Sequence, residues 1–226
     1  MKRETYERIE NYMLSCMDDS AHDAQHIYRV LYNALLIARE EQHVDQDVLI
    51  TACLLHDIGR KEQFADPTLC HAAVGSEKAR VFLLQHGFSG EFAERVAHCI
   101  LAHRFRKANP PQTVEAKILF DADKLDATGA IGIARTLQFK ADTQSPIYTV
   151  RPDGSISNGE GEEGSSFFRE YQFKLKKLYD RFFTQTGARL AQERRQIARD
   201  FYESLYREVS SGYTDGAQQL RQWIEE

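Results

Sequence analysis

Apolar residues recur every three or four positions along most of this 226-residue chain, as in amphipathic α-helices. Alternation with a period of two, the mark of a half-buried strand, is nearly absent. The spacing predicts helices over residues 6–13, 27–38, 47–56, 72–85, 91–103 and 113–138, the last bent near 121–123. It also predicts an aromatic helix over 167–183, another over 188–209 and a short one ending near 223. The pattern therefore predicts an all-α protein.

Residues 141–165 differ from the rest, because prolines, glycines, serines and acidic residues replace the helical repeat. We expect a flexible acidic loop here. The chain length fits one domain, residues 1–226. Its core is expected at about 20–138, and the C-terminal helices of residues 166–226 are expected to pack on that core.

Composition narrows the class of protein. The chain is 42% hydrophobic and 28% charged, which is ordinary for a globular protein. It contains no long uncharged apolar run and begins without the apolar segment of a signal peptide, so we expect no membrane span and a cytoplasmic location. Four scattered cysteines without a CxxC pair favour reduced thiols over disulfides or a zinc knuckle. A net charge of −5 argues against nucleic acid as the main partner.

The His56–Asp57 pair closes an apolar run that begins at Val48. A run of this kind belongs in a core, where a carboxylate is costly to bury unless a cation or strong donors meet it. Gly59 ends the run, so the pair lies where a buried helix reaches the surface. A metal ion is one explanation. A His–Asp hydrogen bond that caps the helix is the other, and for the dipeptide alone it is favoured.

Other histidines and carboxylates stand near helix boundaries. Asp23 and His26 are three residues apart and share a face of a helix. A cluster of three carboxylates within six residues would repel itself unless a cation neutralised it: Asp121, Asp123 and Asp126. Imidazole and carboxylate without thiolate suit divalent ions such as Mn²⁺, Fe²⁺, Co²⁺, Ni²⁺ or Zn²⁺. On a regular helix Asp121 and Asp123 point about 200° apart, so only one of them can face an ion.

Three spaced motifs resemble the signature of the HD superfamily of metal-dependent phosphohydrolases: His26-x-x-Arg29-Val30, His56-Asp57 and Ala122-Asp123-Lys124-Leu125-Asp126. The resemblance covers about residues 20–138, and the aromatic C-terminal helices resemble those of a bacterial subfamily that includes nucleotide pyrophosphohydrolases. It implies an HD-domain helical bundle with additional C-terminal helices. Carried over by position, it implies four metal ligands: His26, His56, Asp57 and Asp123.

The resemblance also implies the cofactor. We expect one divalent ion, Mn²⁺ in the first place, with Ni²⁺, Co²⁺, Fe²⁺, Mg²⁺ or Zn²⁺ as alternatives. His71 and His103 fall where two-metal members of the superfamily place additional histidines. They either bind a second ion or donate to phosphate in the one-metal state, or they are histidines beside the site that touch neither. The sequence leaves these alternatives open.

Basic residues adjoin each motif, although the chain is acidic overall. Guanidinium and ammonium groups match phosphate oxygens and stabilise the charge of phosphoryl transfer. We therefore expect a group of substrate-binding residues beside the metal: Arg29, Arg60, Lys61, His71, His103, Lys124 and Asp126. Arg104, Arg106 and Lys107 are instead typical of a solvated helix end.

The expected chemistry is metal-assisted hydrolysis of a phosphate ester or anhydride. Asp57 is the expected catalytic ligand, and Glu62 or Asp121 could relay protons, although Asp121 could also cap a helix. By resemblance, the leading substrate is a nucleoside triphosphate, cut to monophosphate and pyrophosphate.

Three alternatives remain for the activity. They are a 5′-nucleotidase, another phosphomonoesterase or phosphodiesterase of the same fold, and a non-catalytic metal-dependent nucleotide sensor. The expected partner is a small phosphorylated substrate, in the first place a nucleotide. The aromatic C-terminal helices could pair two subunits into a homodimer or cover their own core.

Overall fold

The computed structural model describes residues 1–17, 24–104 and 109–225, and within these ranges its regular structure is helical and contains no strand. The α-helices of these ranges are α1 (Arg3–Cys16), α2 (Ala24–Ala38), α3 (Gln46–Leu55), α4 (Arg60–Ala65), α5 (His71–Gln85), α6 (Gly90–Ala102), α7 (Val114–Leu125), α8 (Gly129–Asp142), α9 (Phe167–Phe173) and α10 (Gln185–Glu225). A 3-10 helix at Leu175–Asp180 lies between α9 and α10. The prediction of an all-α protein is confirmed.

The described residues fall into two compact units. Unit 1 contains those of Met1–Asp126 and Phe182–Arg189, and unit 2 contains those of Ala127–Arg181 and Leu190–Glu226. Helix α10 begins in unit 1 and continues in unit 2. The expectation of one domain with a core over residues 20–138 stays a prediction.

Helix α3 is the centre of unit 1. It is apolar on nearly every side, and it packs against α1, α2, α6 and α7, as expected of a helix without a polar face. The side chain of Asp45 caps its first turn by accepting hydrogen bonds from the backbone N–H groups of Asp47 and Val48. Because His56 and Asp57 directly follow α3, this packing carries them into the interior of the unit.

The predicted helix over 113–138 is two helices. The break falls at residues 126–128 and not near 121–123, because Thr128 is extended and Gly129 has a φ of +60°, a conformation that glycine adopts at little cost. Asp121 and Asp123 therefore both lie inside α7 on a regular helical path.

The aromatic stretch does not form one helix. Helix α9 ends at Phe173, because Lys174 leaves the helical region with φ −122° and ψ −63°, and the 3-10 helix follows. Most of these aromatic rings are core residues of unit 2. The Tyr171 ring stacks on Tyr202 at 4.0 Å between centroids, and the Phe168 ring meets Tyr202 edge-on at 5.3 Å.

Helix α10 runs unbroken for 41 residues, where the sequence predicted two helices. Gly212 and Gly216 lie inside it, and a side chain added at either position would meet no atom within 4 Å. The helix passes through them at an intrinsic cost of about 1 kcal/mol each. No helix in the described ranges, α10 included, is long and apolar enough to cross a membrane.

Part of the acidic loop packs within unit 2. Ile156 and Ser157 are buried, and the Tyr202 hydroxyl donates to the Asn158 carbonyl at 2.5 Å. Gly159, with φ +90°, lies so close to the backbone of Phe168 that no side chain would fit. The flexibility expected of this loop stays a prediction.

Candidate metal centre

Histidines and carboxylates from five helical segments of unit 1 meet in its interior. His26 lies on α2, His56 and Asp57 follow α3, His71 is the first residue of α5, His103 follows α6, and Asp123 lies on α7. The four histidines and Asp57 are buried, and Asp123 keeps 28% of its side chain exposed. The centre therefore has one partly open side, at Asp123.

The first group of ligand atoms consists of His26, His56 and Asp123. The His26 Nε2 atom is 3.4 Å from His56 Nε2, 3.4 Å from Asp123 Oδ1 and 3.5 Å from Asp57 Oδ2. The His56 Nε2 atom is 3.8 Å from the same Asp57 oxygen. The four residues that the resemblance implied as ligands are thus neighbours.

The second group consists of Asp57, His71 and His103. The other oxygen of Asp57, Oδ1, is 3.6 Å from Nε2 of His71 and 3.6 Å from Nε2 of His103. The two Nε2 atoms are 3.3 Å apart. Asp57 therefore turns one carboxylate oxygen toward each pair of histidines, and the two groups share it.

Each of the four imidazoles has its Nδ1 atom opposite a hydrogen-bond acceptor. The pairs are His26 with Asp126 Oδ2 at 2.8 Å, His56 with the Cys53 carbonyl at 2.7 Å, His71 with Gln63 Oε1 at 2.8 Å and His103 with the Ile100 carbonyl at 2.6 Å. An acceptor at Nδ1 requires the proton on that atom and leaves the Nε2 lone pair pointing inward. Outer partners of this kind commonly fix metal-binding histidines.

These atoms fit divalent cations. With these protons on Nδ1, the Nε2 lone pairs of His26 and His56 would face each other at 3.4 Å, and those of His71 and His103 at 3.3 Å. Two carboxylates lie beside them, and the Oδ2 atom of Asp57 is buried without a hydrogen-bond partner. An acceptor-only pocket of this kind is costly unless positive charge enters it. Imidazole nitrogen and carboxylate oxygen are donors that borderline divalent metals accept.

The shifted pKa values of His26, Asp57 and His56 also indicate that the first group stabilises a positive charge. Burial alone would lower the pKa of His26, but the carboxylates of Asp123, Asp126 and Asp57 raise it to about 10. Burial would raise the pKa of Asp57, but His56 and Arg60 outweigh burial and hold it well below its ordinary value. Burial lowers the pKa of His56 to about 4. Without a metal, a proton on His26 is thus the cation of the first group.

Asp126 faces His26 and Arg29. It is 1% exposed, and besides its bond to His26 it accepts from Arg29 Nε at 2.7 Å and from Arg29 NH2 at 3.1 Å. This placement argues against the expectation that Asp126 faces the substrate, whereas the same expectation for Arg29, whose side chain is 35% exposed, stays a prediction. It favours a positioning role, in which Arg29 holds Asp126 and Asp126 holds His26.

Asp121 points away from the two groups of ligands, as the two-residue step predicts. Its buried carboxylate accepts hydrogen bonds from the backbone N–H groups of Phe183 and Thr184 and from the Thr184 hydroxyl, at 2.7–3.0 Å. Burial raises the pKa of Asp121 despite these bonds. The geometry gives Asp121 the task of anchoring the start of α10, which argues against a proton relay at this residue.

The remaining predicted site residues occupy different surroundings. The Arg60 Nε atom donates to Asp57 Oδ1 at 3.0 Å, so Arg60 borders the second group. Glu62 accepts from Lys78 Nζ at 2.7 Å, and Lys78 also holds the Ile58 carbonyl, so Glu62 is tied into the turn after the His–Asp pair. The Lys124 Nζ atom lies 3.9 Å above the Phe120 ring, and Lys61 is exposed. Asp23, Arg106 and Lys107 lie outside the described residues.

Two contributors were missed by the sequence reasoning. Gln63 orients His71 from eight positions earlier, across a turn, where no helical spacing signals the contact. Gly59 lies where an added Cβ would be 2.3 Å from the His71 carbonyl oxygen and 2.6 Å from the Gly75 nitrogen. A glycine two positions after a His–Asp pair is a signal for such close backbone packing, in addition to the helix end that it predicts.

Comparison with known proteins places this centre in a family. A family model described as the HD domain matches residues 23–128. YpgQ of Bacillus subtilis (strain 168), an uncharacterised protein, is 31% identical over 209 residues, which cover 90% of this chain and 93% of YpgQ. The chain therefore belongs to the HD superfamily of metal-dependent phosphohydrolases.

Solved structures agree with this assignment. The crystal structure of YpgQ in complex with ADP has a TM-score of 0.69 and 28% identity, covering 90% of this chain and 97% of that one. An HD-superfamily hydrolase from Bacillus thuringiensis has a TM-score of 0.69 and 26% identity, covering 92% of this chain and 98% of that one. The likeness thus extends beyond the matched HD-domain region to nearly the whole chain.

Proposed function

We propose that this protein hydrolyses nucleoside triphosphates to nucleoside monophosphates and pyrophosphate, with Mn²⁺ as its metal. The observation that carries the proposal is the shared carboxylate of Asp57, which faces two pairs of inward-pointing imidazole nitrogens. Hydrolytic metal sites use such a mixture of imidazole and carboxylate and keep positions open for substrate. A nucleotide is favoured because the related YpgQ binds ADP in its crystal structure.

In this proposal His26, His56, Asp57 and Asp123 hold the ion. A divalent cation held by them would supply polarisation of a phosphoryl group and a lowered pKa for water. The protein orients the ligands: Asp126 fixes the ring of His26, and the Cys53 carbonyl fixes the ring of His56. The Arg60 guanidinium, beside Asp57, supplies positive charge where the phosphoryl oxygens would lie.

His71 and His103 have two alternative roles in the proposal. Together with Asp57 Oδ1 they can hold a second cation. With one ion bound, His103 can instead donate from Nε2 to a phosphoryl oxygen. Burial opposes its protonation, but Asp57 raises the pKa of His103 above the ordinary value. Elemental analysis of the purified protein, as ions per chain, separates the two roles.

The test is product analysis with a nucleotide panel and Mn²⁺. We expect nucleoside monophosphate and pyrophosphate in equal amounts from triphosphates. Asp57→Ala should lower turnover at least about a hundred-fold, since it removes a ligand shared by both groups and not merely an outer partner. Asp142→Asn, an exposed carboxylate on α8, is the matched control and should keep full activity.

Other products would change the conclusion. Release of free nucleoside from monophosphates would make the protein a 5′-nucleotidase. Metal-dependent nucleotide binding without turnover under any divalent ion would favour a sensor. In a purely structural metal site, Asp57→Ala would lower thermal stability first and would have no turnover to remove.

A further inference from the structure

A concave surface of unit 2 lies outside the chemistry described so far. Two adjoining cavities of about 580 Å³ and about 350 Å³ share Gln172, Lys176 and Arg195 in their walls. The larger one has the size of a small-molecule site, roughly 300–1,000 Å³. Their lining residues come from the loop, α9, the 3-10 helix, Arg181 directly after it, and α10, and none belongs to the two groups of the metal centre.

Positive charge is concentrated around these cavities. The residues that line them carry a net charge of +2, in a chain whose total is −5. The walls present five cations and three carboxylates; the cations are Lys176, Lys177, Arg181, Arg195 and Arg199. Such a local excess on an acidic protein indicates an anionic ligand.

Two ion pairs within the walls do not remove this excess of positive charge. Asp180 lies 3.6 Å from Arg195, and Glu203 lies 2.7 Å from Arg199. The Lys176 ammonium, which borders both cavities, donates to the neutral side-chain oxygen of Gln172 at 3.0 Å. A neutral acceptor does not compensate the charge of Lys176, so this ammonium still favours an anion.

An exposed aromatic ring stands beside the cations. Phe173 is 51% exposed at the wall of the larger cavity, with Lys177 Nζ 5.2 Å from its centroid. Burial of this much apolar ring against a flat partner is favourable, and aromatic rings stack on nucleobases at about 1–3 kcal/mol per base. The surface thus offers cations for phosphates and a ring for a base.

We propose that these cavities bind an oligophosphate chain, carried either by a nucleoside triphosphate or by inorganic tripolyphosphate. Lys176 and Lys177 meet the phosphate oxygens, and Phe173 stacks on a base where the ligand has one. The site goes beyond the proposed hydrolysis, because it needs neither the metal nor any residue of the centre.

Calorimetric titration of the full-length protein in EDTA tests this site, with inorganic tripolyphosphate, ATP and adenosine as probes. Tripolyphosphate and ATP should bind, and adenosine should not. Lys176→Gln should weaken both Kd values about ten-fold, the loss expected for one charge-assisted contact. Lys174→Gln is the matched control: it is 63% exposed in the same segment, lines neither cavity, and should change Kd less than two-fold.

Further variants assign the source of the ligand and the place of binding. Phe173→Ala should weaken the binding of ATP and leave that of tripolyphosphate unchanged, because only ATP has a base to stack. Unchanged binding of both probes would show that the phosphate chain alone is recognised and that Phe173 stacks on no base. Lack of binding at millimolar concentration would overturn the inference. So would Kd values that Lys176→Gln leaves unchanged, and loss of that binding in His103→Ala would then place the anion at the metal centre. These measurements need no turnover, so their outcome is independent of whether the proposed hydrolysis is correct.

Discussion

At the scale of single residues, the hydrogen-bond acceptors at Nδ1 orient the four histidines of the centre. Three of the four histidines are held by neutral acceptors, whereas His26 is held by the carboxylate of Asp126, which Arg29 holds in turn. A charged acceptor makes an imidazole a stronger donor through its other nitrogen. Within the described centre, His26 should therefore be the histidine on which metal affinity depends most.

Asp126→Asn should weaken metal affinity about 10- to 100-fold. An amide oxygen can still accept from His26, but the substitution removes the negative charge that His26 and Arg29 face. Competition with a chromophoric chelator measures the affinity for Mn²⁺ or Co²⁺. If Asp126→Asn and the exposed control Asp142→Asn bind metal equally well, the Asp126 carboxylate does not tune the ligand.

The residue roles that were predictable from sequence are those encoded locally. The spaced motifs pointed to His26, His56, Asp57 and Asp123 as a set, and helical geometry separated Asp121 from Asp123. The structure argues against a substrate-facing role for Asp126 and against a proton relay at Asp121, because both carboxylates bind residues that are distant in the sequence. Asp121 meets Thr184, 63 positions away, and Asp126 meets Arg29, 97 positions away. No periodicity reports such contacts.

At the scale of elements, the junction of α3, α4 and α5 decides whether the second group can form. Gly59 lets the turn after Asp57 lie directly against the first turn of α5, which carries His71. The nearest atoms are backbone atoms, which cannot rotate away as a side chain can. The distance between Asp57 and His71 is thus set by a contact that only glycine permits.

Gly59→Ala should destabilise the protein by about 1–3 kcal/mol, as overpacking does, and should disturb His71. Gly90→Ala is the control, because an added Cβ there meets nothing within 4 Å and should be neutral or slightly stabilising. Urea denaturation measures both changes. Equal midpoints for the two variants would contradict the tight junction.

Element boundaries were less predictable than element positions. Apolar stripes located α2, α3, α5 and α6 within a few residues, because their buried faces repeat. The short α4 has no buried residue and hence no stripe to read. Phe167–Phe183 contains enough aromatic residues for one helix, yet the chain leaves the helical region at Lys174, where composition gives no warning.

At the scale of the whole molecule, the centre contributes to stability as well as to chemistry. It joins segments that are far apart in the chain. Each segment contributes an imidazole or a carboxylate, and burying such a group in an apolar core costs free energy. A cation bound only by the folded state stabilises that state by mass action. In its absence, protonation of His26 is the partial substitute.

Removing metal with EDTA should lower Tm by about 5–10 °C relative to protein with Mn²⁺ at a hundred-fold excess over Kd. At one fixed Mn²⁺ concentration the gap should widen with pH, because His26 must lose its proton before it can bind the ion. A raised His26 pKa, about 10 against an ordinary 6.5, stabilises the metal-free protein fully below pH 6.5 and is lost as pH rises toward 10. Thermal melts at several pH values test this. A constant or shrinking gap would show that His26 does not hold the proton.

The anchoring of α10 by Asp121 has a consequence for any shortened form of this protein. The matched HD-domain region ends at residue 128, but the carboxylate of Asp121 finds its donors at Phe183 and Thr184. A fragment cut at that boundary would leave the buried Asp121 carboxylate without these donors, two positions from Asp123, which we propose as a metal ligand. Such a fragment should express poorly or lose its metal, even though it retains every residue of the recognisable motifs.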